Sequence, residues 1–78
     1  MKKLIKVKNI ENIQRINQVV SQYPFDIWIH SKSGMVDAKS ILGIFALSLN
    51  EELFLVTNDD VDVHSLYAEL AEYMDIEY

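Results

Sequence analysis

Val36-Asp37-Ala38-Lys39-Ser40-Ile41-Leu42-Gly43-Ile44-Phe45-Ala46-Leu47-Ser48-Leu49 reads as a strand end, a cap and a helix in direct succession. Ser40 stands just before an apolar run, where a side-chain oxygen can accept a free N–H of the first helical turn. The run is expected to be helical from about Ser40 until Asn50-Glu51 breaks it. It is apolar on nearly every side, whereas a surface helix carries a polar face. Such a helix is either buried all round or leaves an apolar patch for a partner. Ile41, Ile44 and Leu47 recur at three-residue spacing and are the better core candidates. Leu42 and Phe45 lie on another side, about a turn apart, and are expected to be partly exposed. An exposed apolar pair beside a cap serine points to protein docking. Gly43 inside a helix costs about 1 kcal/mol relative to alanine, so it is expected to mark the close approach of another backbone.

Working outward from this stretch, Phe25, Ile27 and Ile29 alternate with Asp26, Trp28 and His30, the period of a half-buried strand. Ser31-Lys32-Ser33-Gly34 is a turn, with Gly34 free to take positive φ. Met35 to Asp37 then returns as a third strand, making a hairpin. Before it, Lys2 to Lys8 alternates as a first strand. Asn9 is an N-cap, and Ile10, Ile13, Ile16, Val19, Val20 and Tyr23 recur at helical spacing until Pro24 ends the helix. After it, Glu52 to Thr57 contains Leu53-Phe54-Leu55-Val56 and reads as a strand buried on both sides. Asn58-Asp59-Asp60 offers a turn and a cap. Val63, Leu66, Tyr67, Leu70, Tyr73 and Met74 mark one face of a last helix. The order strand, helix, strand, strand, helix, strand, helix suits an α+β two-layer sandwich, with helices on one face of an antiparallel sheet. The expected core is Ile13, Ile16, Val20, Phe25 or Ile27, Ile44, Leu55, Leu66 and Leu70.

The chain has 78 residues, which is one domain (1–78) with a small core. Half of it is hydrophobic, which argues against disorder. It has no cysteine, so neither a disulfide nor a thiolate metal site is available. No long apolar run and no charged-then-apolar leader stands out, so no membrane span is expected and a cytoplasmic location is the default. The net charge of −5 has the wrong sign for a general nucleic-acid binder. Lys2, Lys3, Lys6 and Lys8 crowd the start, while Asp59, Asp60, Asp62, Glu69, Glu72, Asp75 and Glu77 fall late. No basic, aromatic sheet face is expected.

Lys39, Ser40, Ile41, Leu42, Gly43, Ile44, Ala46 and Leu47 fit a Lys-Ser-Ile-(Met/Leu)-Gly-(Val/Leu)-Met-(Ser/Ala)-Leu pattern, with Phe45 in place of its methionine. In this the segment resembles the regulatory-serine region of HPr, the small phosphocarrier of the bacterial phosphotransferase system. Element order and lengths from about Lys2 to Met74 are similar to that family as well. The resemblance implies an HPr-like open-faced sandwich with sheet order 1-4-2-3 and three helices on one face. It implies that Ser40 is a phosphorylation candidate. It also implies that Lys39, Leu42, Gly43 and Phe45 lie where a protein partner, a kinase or a regulator, would dock.

The front of the first helix departs from the family. The resemblance puts Asn9 where a phosphoryl-accepting histidine would sit and Glu11 where an arginine would follow. Asparagine is no such nucleophile, and Glu11 adds negative charge where phosphoryl oxygens need donors. Phosphocarrier activity at that position is therefore rejected, and no catalytic residue is assigned. The chain is comparable with catabolite-repression HPr-like proteins, which keep the serine and lose the histidine.

His30 and His64 are the only histidines and show no metal-ligand spacing with other groups. No metal or cofactor is expected. The reading is a non-catalytic regulatory or protein-binding module. Its rivals are a divergent phosphocarrier using another residue and a ferredoxin-like small-molecule-binding domain. The ferredoxin-like sheet would run 4-1-3-2.

Overall fold

Hydrogen-bond geometry of one hairpin organises the sheet. The computed structural model describes residues 1–47 and 50–74. Strand β2 (Ile27–Ser31) turns through Lys32 and Ser33 into β3 (Gly34–Asp37), with Ile29 opposite Val36 and His30 opposite Met35. Gly34 takes a φ of 150°, a conformation open to glycine. Strand β4 (Leu53–Thr57) pairs with the other edge of β2, and β1 (Lys2–Ile5) pairs with β4. All pairs are antiparallel and the order is β1-β4-β2-β3. This is the HPr-like order; the ferredoxin-like alternative is excluded.

The pleat sorts side chains by parity. Ile5, Leu53, Leu55, Ile27 and Ile29 all point to one side and are buried. Helices α1 (Ile10–Val20), α2 (Ile41–Phe45) and α3 (His64–Glu69) cover that side. Ile13, Ile16, Val19 and Val20 from α1, Ile44 from α2 and Leu66 from α3, with Leu70 just after it, complete one shared core. Every expected core position is thus buried, with Ile27 taking the place left open between Phe25 and Ile27. Ile10, in the first turn of α1, is an exception to its helical stripe, at 59% exposed.

Several elements end elsewhere than their sequence pattern suggests, each for a hydrogen-bonding reason. β1 stops at Ile5 rather than Lys8, because the Lys6 N–H donates to the Tyr73 carbonyl (2.7 Å) instead of to β4. The last helix is divided: α3 ends at Glu69, a 3-10 turn covers Ala71–Tyr73, and Met74 is extended and bridges to Ile5. The turn residues Asn58-Asp59-Asp60 do not cap α3. Val63 is the N-cap and its side chain makes no cap bond; Asp62 Oδ1 accepts the His64 N–H (2.9 Å) in the turn that leads into the helix. Helix α2 is shorter than expected, ending at Phe45 with Ala46 as its C-cap; the expected continuation through Ser48 and Leu49 lies outside the described residues.

The opposite side of the sheet carries no helix among the described residues. β4 is therefore not buried on both sides: Leu53, Leu55 and Thr57 are buried, while Phe54 and Val56 are half-buried. Trp28 and Phe54 both lie on this open side, on the two interior strands, near Lys2 and His30. The expectation of a sheet face without aromatic and basic groups is corrected here, because alternation puts Trp28 and Phe54 on the same side of neighbouring strands.

Thr57 ends β4 with its Oγ1 buried and without a hydrogen-bond partner among the described residues. A buried hydroxyl left unpaired costs about 1–3 kcal/mol. Thr57→Val is therefore expected to raise stability by about 1 kcal/mol; a urea midpoint that falls would contradict this.

Candidate functional site

Ser40 is positioned by a chain of backbone commitments. The Ala38 N–H donates to the Ile27 carbonyl (2.9 Å), continuing the β2–β3 ladder past Asp37. Asp37 Oδ1 accepts the Lys39 N–H (2.9 Å), and the Ser40 N–H donates to the Asp37 carbonyl (3.0 Å). Asn17 of α1 donates through Nδ2 to the Ala38 carbonyl (3.1 Å), which ties the loop to the first helix. Ser40, extended at φ −93° and ψ 105°, accepts the Gly43 N–H on its Oγ (3.2 Å). It is an N-cap, as its place before an apolar run requires. Its side chain remains exposed.

The two apolar stripes of α2 separate as expected. Ile44 is buried, and Ile41 and Leu47 are partly buried against the core. Leu42 is 78% exposed and Phe45 43% exposed. Side chains three apart share a helix face, so Leu42 and Phe45 form one apolar strip about a quarter-turn round from Ile41 and Ile44. Helix α2 packs on α1 and β3, and neither covers this strip.

Gly43 does not mark a backbone approach. A Cβ there would lie 3.3 Å from Ser40 Oγ, 3.4 Å from Ser40 Cβ and 3.5 Å from Val36 Cβ. The space it leaves is filled by side chains, chiefly the cap serine itself. Lys39 is also less free than its place in the sequence implies: its Nζ donates to the Tyr23 carbonyl in the turn that follows α1 (2.6 Å). Of the five candidate residues, Ser40, Leu42 and Phe45 are exposed, while Lys39 and Gly43 are half-buried and serve to shape the loop and the cap.

The front of α1 is built as a cap. Asn9 Oδ1 accepts the Asn12 N–H (2.9 Å), and Asn12 Oδ1 accepts the Lys8 N–H (3.0 Å). This reciprocal pair satisfies free donors in the manner of a capping box. His30 lies on the open sheet side and His64 opens α3, so neither imidazole stands at this helix.

A second polar contact closes the loop between α2 and β4. Glu51 accepts from Ser33 Oγ (2.5 Å) and from the Ser33 N–H (3.2 Å), joining that loop to the β2–β3 turn. The Ser33 hydroxyl, ahead of smaller contributions from the Ser33 N–H, Ser31 and Lys32, holds the Glu51 carboxyl below its ordinary range. A depressed folded-state value means that this contribution is present above the unfolded-chain pKa. It is lost as pH falls through the folded value. An NMR titration is expected to place the Glu51 midpoint below the ordinary glutamate range, and Ser33→Ala should move it upward; an unmoved midpoint would refute the assignment.

The geometry defines an open-faced α+β sandwich with a serine-capped helix that displays an apolar strip. No family model, curated protein or solved structure matches the chain.

Proposed function

We propose that this chain is a non-catalytic, HPr-like regulatory module of the bacterial cytoplasm. It binds a protein partner through Leu42 and Phe45 and is switched by phosphorylation of Ser40. The observation that carries the reading is the exposure of Leu42 and Phe45 on a helix whose cap hydroxyl is itself exposed. A leucine at 78% exposure adds little to the core, and with its neighbour it supplies a hydrophobic anchor for association.

A serine kinase of the HPr type would transfer the terminal phosphoryl group of ATP to Ser40 Oγ, releasing ADP and the hydroxyl proton. The product places about −1.5 to −2 charge beside the strip at neutral pH. That charge sits at the positive end of the α2 peptide dipoles, so the cap is kept while the apolar strip gains an anionic neighbour. Partner choice then changes without refolding. Asn9 and Glu11 at the front of α1 support the non-catalytic part of the reading, since they offer neither a nucleophilic imidazole nor a cationic donor to a phosphoryl group.

Incubation with ATP and such a kinase, followed by mass spectrometry, is expected to place one phosphate on Ser40 and none on Ser40→Ala. Absence of phosphate under conditions that modify a true HPr would reduce Ser40 to its capping role. Incubation with phosphoenolpyruvate and the general phosphotransferase enzyme is expected to give no labelled chain; label on His30 or His64 would favour the divergent-phosphocarrier reading. In capture experiments with a kinase or regulator, Leu42→Ala combined with Phe45→Ala should weaken binding while leaving the melting temperature nearly unchanged.

A further inference from the structure

The uncovered side of the sheet has an order that the α2 strip does not explain. Two rows of side chains cross it in register. One row is Lys2, Val56, Trp28 and Asp37; the other is Leu4, Phe54, His30 and Met35, each read from β1 through β4 and β2 to β3. The centre of each row is apolar or aromatic. Met35 at one corner is 55% exposed. The first row ends in a cation on one edge strand and an anion on the other. Lys2 Nζ already leans over the face, 4.3 Å from the Phe54 ring centroid. Asp37 gives one carboxylate oxygen to the Lys39 N–H, which leaves the other for a partner.

We propose that this face is a self-complementary interface on which two copies of the chain pair. A two-fold axis parallel to the strands, passing between β4 and β2, superposes each row on its own reverse. The outer strands of a four-stranded sheet stand about 14 Å apart, and facing sheets pack about 10 Å apart. Under that operation Lys2 faces the partner's Asp37, and Asp37 faces the partner's Lys2. Val56 faces the partner's Trp28, Leu4 faces the partner's Met35, and Phe54 faces the partner's His30. Lys32 and Glu52 line the groove at the end of the face beside His30 and Phe54, and there too opposite charges meet across the axis. A C2 contact uses the same patch on both subunits, so each complementary pair occurs twice. The charge pattern selects a second copy over an unrelated apolar partner, because the two corner charges are opposite in sign and related by the axis that pairs the sheets. This inference does not rest on the Ser40 reading, which concerns the other face of the molecule.

Sedimentation of the full chain over a concentration series tests it, with the fluorescence of Trp28, the only tryptophan, as a second readout. Mass should double as concentration rises, with Trp28 emission shifting to the blue. Lys2→Asp alone and Asp37→Lys alone should each weaken pairing about tenfold, since each places like charges opposite one another twice. The double variant with both changes should recover most of the loss. Asp37 also holds the turn before Ser40, so Val56→Lys serves as an independent probe; it should abolish pairing with an unchanged far-ultraviolet circular dichroism spectrum. A chain that stays monomeric to about 1 mM would overturn the proposal. So would a dimer indifferent to the charge swap, or one broken by Leu42→Ala with Phe45→Ala. A monomer whose Trp28 emission is quenched by a single-stranded oligonucleotide would also overturn it, making the face a stacking platform.

Discussion

Leu66→Ala is expected to destabilise the chain by about 2–5 kcal/mol, whereas Leu42→Ala changes it by less than about 0.5 kcal/mol. The chemical change is the same and both sites are helical. Leu66 is fully buried in the core between α3 and the sheet, and Leu42 is 78% exposed on α2. Truncation at Leu66 removes transfer free energy and leaves a cavity that a densely packed core fills only in part. A chain of 78 residues has about 4–12 kcal/mol in all, so the loss takes a large share of it. Each kcal/mol lowers the melting temperature of a domain this size by about 4–8 °C. The difference between the two variants should therefore exceed about 6 °C in calorimetry. Equal effects would mean that Leu42 is core and that the docking strip does not exist.

Gly34→Ala should cost about 1–3 kcal/mol, with no clash against neighbouring residues. A Cβ built on Gly34 meets nothing within 4 Å, so the space is open. The penalty comes from φ of 150°, which an L-residue adopts only with strain. The hairpin that Gly34 closes sets the β2–β3 register, and the Ala38 and Ser40 backbone bonds follow from it. Chemical synthesis allows a decisive control. D-alanine at this position, which favours positive φ, should be tolerated about as well as glycine. If both enantiomers cost the same in urea unfolding, the strain argument fails.

The helix of the opening stretch shows how far its residues could be read directly. Ser40 as cap, Ile44 as core and Leu42 with Phe45 as an exposed pair all follow from spacing, because a helix has a fixed period and a cap a fixed position. Gly43 did not follow. Its neighbours are the side chains of Ser40 and Val36, and Val36 reaches it through the hairpin. Lys39 was legible as a cation but not as a group bound to the Tyr23 carbonyl, since that acceptor comes from the turn after another helix.

The open sheet side was the larger omission. Trp28, Phe54, Lys2, His30 and Asp37 belong to four strands whose pairing places them together. The alternation in β2 announced one polar side, and the apolar run in β4 hid the same alternation behind Phe54 and Val56. A partly apolar outer face is what made β4 look buried on both sides.

Local periodicity, caps and turn residues determined the element order, the buried stripe of each helix and the identity of the core, because these depend on contacts within a few residues. The N-cap role of Asn9 was equally plain from its place before the apolar stripe of α1. The tertiary structure alone decided which strands became neighbours, where β1 and the last helix ended, and which charges came to lie across the open face. Those outcomes depend on backbone bonds such as Lys6 to Tyr73 and on registers such as Lys2 with Val56, which join residues more than fifty positions apart. No local pattern encodes a pairing over that distance; it emerges when the whole chain buries its apolar surface in one core.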